Sequence, residues 1–344
     1  DYPSHRQVKA YFDAYADHFG LRERITFNTS VVRVESVAAD RWEVTVERDG
    51  RRQTLRYDGV VVANGHNWFP KMPEYPGLED FTGELVHSAD YKGADQLRDR
   101  RVLVVGAGNT GCDIAVEAAQ NATMTFHSTR RGYYYNPKFV FGKPSDQIAD
   151  QLLAMRVPLP LRRAAFGATL RTTMGKFEKF GLQKPDHAFF ETHPIVNQQL
   201  VYYVGHGDIT PKPDVDLVVF ATGYLAVFPF LADPDALDAA GGRPRLALQM
   251  ASPKYPTLWL SGLIQPDSGQ WTIAHWQGMA IAAFLRLQRD DPAAAARLHA
   301  QINARRDQRY SGGAHYKEST RHFYEIAHQD YLEAIQEFLG EVAA

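Results

Sequence analysis

A ten-residue stretch, VLVVGAGNTG at positions 102–111, has the residue types and the spacing of a nucleotide-binding turn. Four apolar residues predict a buried strand, and the pattern Gly-x-Gly-x-x-Gly follows directly. The first glycine permits a tight turn, the second lets the backbone approach a pyrophosphate, and the third allows close packing of the next helix. The pyrophosphate would lie on the helix N-terminus. The alternative is an ordinary strand–turn–helix. The residues assigned to this site are Gly106, Gly108, Asn109, Thr110 and Gly111.

The end of the next strand indicates which dinucleotide binds. In NAD sites, an acidic residue about 20 positions after the glycines accepts a hydrogen bond from the ribose 2′-hydroxyl. This sequence has HSTRRG at positions 127–132, without a carboxylate. Ser128, Arg130 and Arg131 suit a 2′-phosphate, because guanidinium groups bind phosphate in a bidentate fork. The sequence therefore predicts NADPH, and the alternative is a solvated turn.

Composition is typical of a globular protein with two domains and excludes several classes of protein. The chain has 344 residues, 44% of them apolar, and a net charge of −2, which gives no electrostatic case for binding nucleic acid or an anionic membrane. No apolar run approaches the roughly 18 residues of a membrane span. The single cysteine, Cys112, excludes a disulfide framework and a cysteine zinc site. We expect a cytoplasmic protein that binds no metal.

Two apolar strands with similar endings divide the chain. VVVANG at 60–65 and VVFATG at 218–223 both end in small residues and a glycine, which lets a chain leave a sheet beside a bound cofactor. A proline-rich linker follows the first of them. If both strand endings are domain crossings, a nucleotide-binding domain is inserted into a second domain. The predicted boundaries are 71–224 for the inserted domain, and 1–70 with 225–344 for the split one.

Local patterns predict the elements before the first crossing. Residues 4–19 have the apolar spacing of an amphipathic helix, with Ser4 as its N-cap. Asp49-Gly50 lies between two strand-like runs and predicts a hairpin. The continuous apolar run at 60–63 predicts a buried strand.

The residues around these boundaries resemble those of a known enzyme family. FTGELVHSADYK at 81–92 matches the signature Phe-x-Gly-x-x-x-His-x-x-x-Tyr/Trp of flavin-containing and Baeyer–Villiger monooxygenases. The ending in tyrosine is closer to the flavin-containing monooxygenase version. VVGAGNTGCD resembles that family's NADPH fingerprint, and ATGY at 221–224 resembles its return linker. The resemblance covers almost the whole chain. The matching signature residues are Phe81, Gly83, His87 and Tyr91.

This resemblance implies an α/β fold with two Rossmann-like dinucleotide-binding domains, in which the NADPH domain is inserted into a split FAD domain. It implies an oxidoreductase, an NADPH- and FAD-dependent monooxygenase. In this family, reduced flavin reacts with dioxygen and forms a C4a-(hydro)peroxide that oxygenates a small soft nucleophile, an amine or a sulfide. The expected partners are therefore a small-molecule substrate and dioxygen, without nucleic acid or a membrane span. The sequence leaves open whether the protein forms a homodimer.

The resemblance also assigns residues to the flavin site. Family members begin with a further Gly-x-Gly-x-x-Gly that holds the FAD pyrophosphate, and this sequence has none before Gly106. We therefore expect a fragment of the FAD domain, or a protein that has lost the usual flavin site. His87 is a titrating group that could orient NADP⁺ or the interdomain linker near the flavin, and we favour a structural role for it over a catalytic one. The residues assigned to FAD are Val31, Asn64, Gly65 and Gln265.

Two other functions stay open. One is a flavin-dependent NADPH oxidase or reductase that transfers no oxygen to a substrate. The other is a nucleotide-binding module without catalysis, which the missing FAD glycine loop supports. Flavin absorbance of the purified protein would exclude the module without catalysis. Formation of an oxygenated product would distinguish a monooxygenase from an oxidase, which forms hydrogen peroxide.

Overall fold

A computed structural model describes residues 2–38, 40–193, 195–210, 216–239, 243–316 and 323–343. In chain order, the helices within these residues are α1 (His5–His18), α2 (Asn109–Asn121), α3 (Ser145–Ala154), α4 (Leu159–Met174), α5 (Gln199–His206), α6 (Gln270–Asp290), α7 (Pro292–Ala304) and α8 (His328–Ala343). The strands are β1 (Ser30–Ala38), β2 (Arg41–Arg48), β3 (Arg51–Tyr57), β4 (Val60–Val62), β5 (Phe69–Pro70), β6 (Glu84–His87), β7 (Arg101–Val105), β8 (Met124–Ser128), β9 (Phe139–Val140), β10 (Lys143–Pro144), β11 (Ile209–Thr210), β12 (Leu217–Phe220), β13 (Tyr224–Leu225), β14 (Leu258–Leu260), β15 (Gln265–Pro266) and β16 (Glu325–Ile326).

A parallel five-stranded sheet lies in the middle of the chain. Its strand order is β11-β8-β7-β12-β6, and α2 and α5 pack beside it. Val102, Val104 and Val219 are completely buried in its core. The carboxyl ends of the parallel strands meet at one edge, which is where ligands bind in open α/β sheets. We call residues 71–223, which contain this sheet, the nucleotide unit.

The chain enters and leaves the nucleotide unit through two neighbouring strands. β5 pairs antiparallel with β13, and Tyr224 lies opposite Pro70. The Lys71 N–H donates to the Gly223 carbonyl at 3.0 Å, and the Thr222 hydroxyl donates to the Lys71 carbonyl at 2.5 Å. The segments that follow the two similar strand endings therefore lie side by side.

The remaining residues form a second region from both ends of the sequence, which we call the outer unit. β4 pairs in parallel with β14, and Val62 lies opposite Leu260. Helix α6 packs against α7 and α8, with Trp259 and Phe284 fully buried among them. Strands from before and after the nucleotide unit thus share one parallel pair.

Two local predictions for the N-terminal region are confirmed. The Ser4 hydroxyl accepts the Gln7 N–H at 3.4 Å, and the Gln7 side chain accepts the Ser4 N–H at 2.8 Å, which is a capping box. Asp49 and Gly50 both have positive φ and turn the chain between β2 and β3.

The prediction of a buried strand at 60–63 is wrong in part. Val61 is 43% exposed, because β4 pairs with β14 alone among the described strands. Helix α1 likewise buries none of its residues. Among the described residues outside the helix, its aromatic face makes ring contacts with Trp271, on which Tyr11 stacks and which Phe12 meets edge-on. The chain exposes 19700 Å², whereas a folded monomer of this mass exposes about 14,000 Å². The apolar side chains of this uncovered face of α1 are Tyr11, Phe12, Tyr15 and Phe19.

Candidate functional site

The glycine-rich turn follows β7 at the carboxyl edge of the parallel sheet. Gly106 has a φ of +124°, a conformation that residues with a side chain rarely adopt. A Cβ atom on Gly106 would lie 2.3 Å from the Ala221 carbonyl oxygen, and one on Gly111 would lie 2.1 Å from the Gly106 carbonyl oxygen. Neither position accepts a side chain without movement of the backbone. Strand, turn and helix therefore approach one another as closely as a dinucleotide-binding turn requires.

Helix α2 begins at Asn109, directly after this turn. Its N-cap, Gly108, has extended backbone (φ −73°, ψ 173°), and no side chain caps the helix there. The first turn, which contains Thr110, carries no acidic residue. The partial positive charge of the helix N-terminus is therefore not neutralised locally. This environment fits the pyrophosphate of a dinucleotide, which the backbone amides would bind.

Two polar side chains of α2 bind a neighbouring loop. The Asn109 Oδ1 atom accepts the Val196 N–H at 2.8 Å, and Asn197 Nδ2 donates to Asp113 Oδ1 at 2.7 Å. Burial raises the pKa of Asp113, and the hydrogen bond from Asn197 opposes this shift. The side-chain oxygen of Asn109 thus positions residues 195–197, and a direct contact between Asn109 and NADPH stays a prediction.

The residues predicted to hold a 2′-phosphate follow β8, next to the glycine turn. Ser128 is exposed, and its carbonyl oxygen accepts the Gly106 N–H at 3.0 Å. Arg130 is exposed to solvent, whereas Arg131 Nη1 lies 3.9 Å from a carboxylate oxygen of Asp186. The structure therefore joins Ser128 to the turn, and the two arginines that follow it lie in two different environments. Arg130 faces solvent and Arg131 lies beside an acidic group.

His127 is a residue of this site that the sequence analysis missed. Its Nε2 atom lies 2.8 Å from the Gly106 carbonyl oxygen and fixes the turn to the neighbouring strand. Burial lowers the pKa of His127, and the hydrogen bond to Gly106 opposes this shift. The one sequence signal was its place directly before Ser128. A contact between residues 21 positions apart cannot be read from a local pattern.

Replacement of His127 by glutamine should reduce the pH dependence of stability. Folding lowers the pKa of this histidine, so the unfolded chain binds its proton more readily. The stability that depends on His127 is complete above about pH 6.5 and is lost as the pH falls toward the folded-state pKa. The change approaches about 1.4 kcal/mol per pH unit for one proton.

The measurement is the free energy of unfolding in urea between about pH 5.5 and 7.5. We expect a shallower slope for His127→Gln than for the unmodified protein. His5→Gln, which alters an exposed histidine of α1, is the control. Equal slopes for the His127 variant and the unmodified protein would contradict the pKa direction.

His87 joins the signature segment to the return linker. Its Nδ1 atom accepts the Ala89 N–H at 3.1 Å, and its Nε2–H donates to the Gly223 carbonyl at 3.1 Å. The ring belongs to a residue only 3% exposed, and burial lowers its pKa. Both ring nitrogens are thus occupied by backbone groups. This geometry suits a residue that fixes the linker, and a catalytic role for His87 stays a prediction.

The other signature residues also have structural contacts. A Cβ atom on Gly83 would lie 2.4 Å from the Phe81 ring and 2.5 Å from the Asp216 carbonyl oxygen. The Tyr91 hydroxyl donates to the Glu117 carboxylate at 2.7 Å. These contacts join the signature segment to the residue before β12 and to helix α2.

Three residues assigned to FAD lie near the carboxyl ends of β4 and β14. Asn64 and Gly65 follow β4, and Gly65 has a φ of +73° with no atom within 4 Å of an added Cβ. The neighbouring His66 stacks on Tyr324, and its buried Nδ1 atom has no hydrogen-bond partner within the described residues. The Gln265 N–H donates to the Tyr324 carbonyl at 2.7 Å. Open backbone and an unpartnered buried nitrogen fit a flavin group at this edge.

Val31, the fourth residue assigned to FAD, lies in a different sheet. It pairs with Val46 between β1 and β2 and is 46% exposed. β1 is joined to the outer unit through Val34, whose N–H donates to the Phe230 carbonyl at 2.7 Å. The described contacts do not join Val31 to the edge at β4, and its contact with FAD stays a prediction.

A cavity of about 500 Å³ lies between the nucleotide unit and the C-terminal segments of the outer unit. The start of α2 borders it through Asn109, and the loop Pro266–Gly269 after Gln265 borders it from the other side. Its volume is in the range of small-molecule sites. The cavity therefore borders the first residue of α2 and the segment that follows Gln265.

Comparison with known proteins identifies the family. The family model described as flavin-binding monooxygenase-like matches residues 1–215, which is more than half of the chain. The chain belongs to the flavin-binding monooxygenase-like family. Flavin-containing monooxygenase 5 of Rattus norvegicus is 32% identical over 97% of this chain and 67% of that relative. This monooxygenase-like chain thus spans about two thirds of that relative's length.

Solved structures resemble this monooxygenase-like chain over nearly its whole length. S-allyl-L-cysteine S-oxygenase from Allium sativum has a TM-score of 0.61 and 20% identity, covering 98% of this chain and 67% of that protein. OTEMO, solved in complex with FAD and NADP, has a TM-score of 0.66 and 16% identity, covering 97% of this chain and 83% of that protein. These likenesses confirm the predicted α/β fold class.

Membership of the flavin-binding monooxygenase-like family confirms two predictions. The chain is an oxidoreductase of the flavin-dependent monooxygenase class, and the predicted cofactor pair of FAD and NADPH agrees with the family. Within the part of the chain that the structure describes, no helix is long and apolar enough to cross a membrane, and no group of side chains could hold a metal ion.

Proposed function

We propose that this protein uses NADPH and FAD to transfer one oxygen atom from dioxygen to a small soft nucleophile, an amine or a sulfide. NADPH supplies two electrons, and the second oxygen atom leaves as water. The observation that carries the proposal is the cavity of about 500 Å³, because it borders both the start of α2 and the loop after Gln265. A substrate there would lie between the hydride donor and the flavin.

The chain's own residues would bind and orient the two cofactors. The glycine turn and the amides of α2 would hold the NADPH pyrophosphate, and Arg130 its 2′-phosphate. The backbone at Gly65 and the unpartnered ring nitrogen of His66 would lie against the flavin. When bound, the reduced flavin supplies the activation of dioxygen. His127 would keep the turn in place, and His87 would keep the linker in place.

Aromatic walls favour a soft, partly apolar substrate. Tyr134, Phe189 and Phe190 line the cavity on the side of the nucleotide unit, and Tyr134 stacks on Phe189 with ring centres 3.9 Å apart. Such walls exclude water from the reacting groups. A solved neighbour, named as an S-oxygenase of S-allyl-L-cysteine, supports a sulfide as the substrate.

The test measures flavin content, NADPH consumption and product in one preparation. A monooxygenase shows flavin absorbance, and its NADPH consumption equals the amount of amine oxide or sulfoxide formed. An NADPH oxidase would form hydrogen peroxide in place of that product. A nucleotide-binding module would bind NADPH without consuming it. Either of these last results would contradict the proposal.

The proposal also includes a cytoplasmic location and assembly as a homodimer. A cytoplasmic protein needs no disulfide, and the single cysteine, Cys112, is buried. A homodimer would cover part of the exposed apolar face of α1. Fractionation of cells and sedimentation of the purified protein would test these two points.

A further inference from the structure

The cavity between the two units contains charged side chains of both signs. Most of them already meet a partner. The satisfied contacts are Asn197 to Asp113 at 2.7 Å, Tyr2 to Asp146 at 2.9 Å, the His328 N–H to Asp267 at 2.8 Å, and Lys138 Nζ at 4.7 Å from the centre of the Tyr2 ring. Two charged side chains of the lining, Glu325 and Arg162, retain an atom without a partner among the described residues.

Glu325 is the buried acidic group. It lies in β16, where it pairs with Gln265 of β15, and its side chain is only 2% exposed. One carboxylate oxygen, Oε2, lies 3.2 Å from His193 Nδ1. The other, Oε1, is buried without a hydrogen-bond partner within the described residues. A buried carboxylate oxygen that lacks a donor is costly, so this position favours a ligand that brings a donor or a cation.

Arg162 is the buried basic group. The residue lies in α4 and is 8% exposed. Its Nη2–H donates to the Gly312 carbonyl at 3.2 Å, and its guanidinium lies 5.6 Å from the centre of the Phe190 ring. Its Nε atom is buried and has no acceptor within the described residues. A planar guanidinium with an unused donor suits a carboxylate.

Glu325 and Arg162 lie at the same part of the cavity. Both side chains line the same cavity. Arg162 donates to the Gly312 carbonyl, and a Cβ atom on Gly312 would lie 3.0 Å from the Cβ of Ala327, two residues after Glu325. A ligand that occupies this part of the cavity meets a cation and an anion together.

We propose that the cavity binds a zwitterionic small molecule, with its ammonium group on Glu325 and its carboxylate on Arg162. An α-amino acid that carries a thioether or amine side chain has this chemistry. Its charges would satisfy both unpartnered atoms, and its side chain would lie against the aromatic wall formed by Phe189 and Phe190. The proposal rests on the proposed function in one respect, since the zwitterion is taken to be the molecule that is oxygenated.

The first test compares four sulfides of matched shape for binding to the purified protein without NADPH, by titration calorimetry near neutral pH. They are S-propyl-L-cysteine, 2-(propylthio)ethylamine, 3-(propylthio)propanoic acid and ethyl propyl sulfide. These are the zwitterion, the cation, the anion and the neutral form. We expect the zwitterion to bind at least about tenfold more tightly than each of the others. Equal affinities would overturn the proposal, and this comparison requires no variant.

The second test assigns each charge to its residue. Glu325→Gln should weaken binding of the zwitterion about tenfold or more and leave the affinity for the anion unchanged. Arg162→Gln should also weaken binding of the zwitterion about tenfold or more, and it should leave the affinity for the cation unchanged. Glu341→Gln and Arg305→Gln, which break a more exposed pair of the same residue types at 2.9 Å, are the matched controls. Loss of affinity for all four sulfides in either cavity variant would contradict the assignment.

Thermal unfolding of the ligand-free protein separates binding from structure. If Glu325 serves only as a partner of His193, Glu325→Gln should unfold at a lower temperature and keep the same ligand preference. The proposal predicts an unfolding temperature that is not lowered, because the variant replaces a buried carboxylate, one oxygen of which has no donor among the described residues, by a neutral amide. Failure of the proposed function would look different. The zwitterion would then bind with the expected preference, while NADPH would yield no oxygenated product from it.

Discussion

Replacement of Gly106 by alanine should abolish NADPH binding and lower the free energy of unfolding by about 3 kcal/mol or more. Two costs add at this position. The φ of +124° disfavours a residue with a side chain, and the new Cβ atom would lie 2.3 Å from the Ala221 carbonyl oxygen. Relief of this contact requires the turn to move. That movement would break the hydrogen bonds of Gly106 with His127 and Ser128.

The measurements are urea denaturation and calorimetric titration with NADPH. Gly50→Ala is the matched control, because Gly50 has a φ of +72° but no atom within 4 Å of an added Cβ. It should cost only about 1 kcal/mol and leave the affinity for NADPH unchanged. If Gly106→Ala changes the free energy of unfolding and the affinity for NADPH no more than Gly50→Ala does, the result would contradict the close contact between the turn and Ala221.

Replacement of Arg130 by alanine should reduce the preference for NADPH over NADH by about tenfold to a hundredfold. Arg130 is exposed and lies two residues after Ser128, whose carbonyl accepts the Gly106 N–H, so we expect its guanidinium to reach the 2′-phosphate of NADPH. NADH lacks that phosphate, so its affinity should change little. Arg130→Lys should retain part of the preference, because lysine keeps the charge but loses the bidentate fork. The measurement is the ratio of the two dissociation constants for each variant.

Arg131→Ala provides the comparison for this prediction. Arg131 already lies 3.9 Å from Asp186 and its side chain is 22% exposed, so we expect its loss to change the cofactor ratio less than about threefold. Its bridge to Asp186 holds the segment after β8 against residues 183–186, where Gly132 also pairs with Pro185. An equal loss of affinity for NADPH and NADH in Arg130→Ala would contradict the assignment of the 2′-phosphate.

The features that could be predicted from sequence depend on residues close together in the chain. The glycine turn, the capping box at Ser4 and the hairpin at Asp49-Gly50 each follow from local backbone geometry and local hydrogen bonds. The segments that follow the two similar strand endings pair as β5 and β13, and the domain boundaries drawn from those endings stay a prediction. For these features, the residue types alone limit the conformations that the chain can adopt.

The features that could not be predicted depend on partners far apart in sequence. The contact of His193 with Glu325 joins residues 132 positions apart, and the contact of Asn109 with Val196 joins residues 87 positions apart. Neither pair leaves a periodic signal. The apolar spacing of α1 correctly shows which residues share a face, but no pattern within a helix tells what covers that face.

The pairing of β4 with β14 also determines the order in which the protein can fold during synthesis. β4 emerges from the ribosome long before its partner, and the whole nucleotide unit is translated in between. All five strands of the nucleotide unit are then present, so this unit can complete its own sheet first. Strand β4 must wait for its partner until Leu258–Leu260 has been made. Until that partner is made, β4 lacks the one strand with which it pairs among the described residues, and chaperone binding in this period would protect it from aggregation.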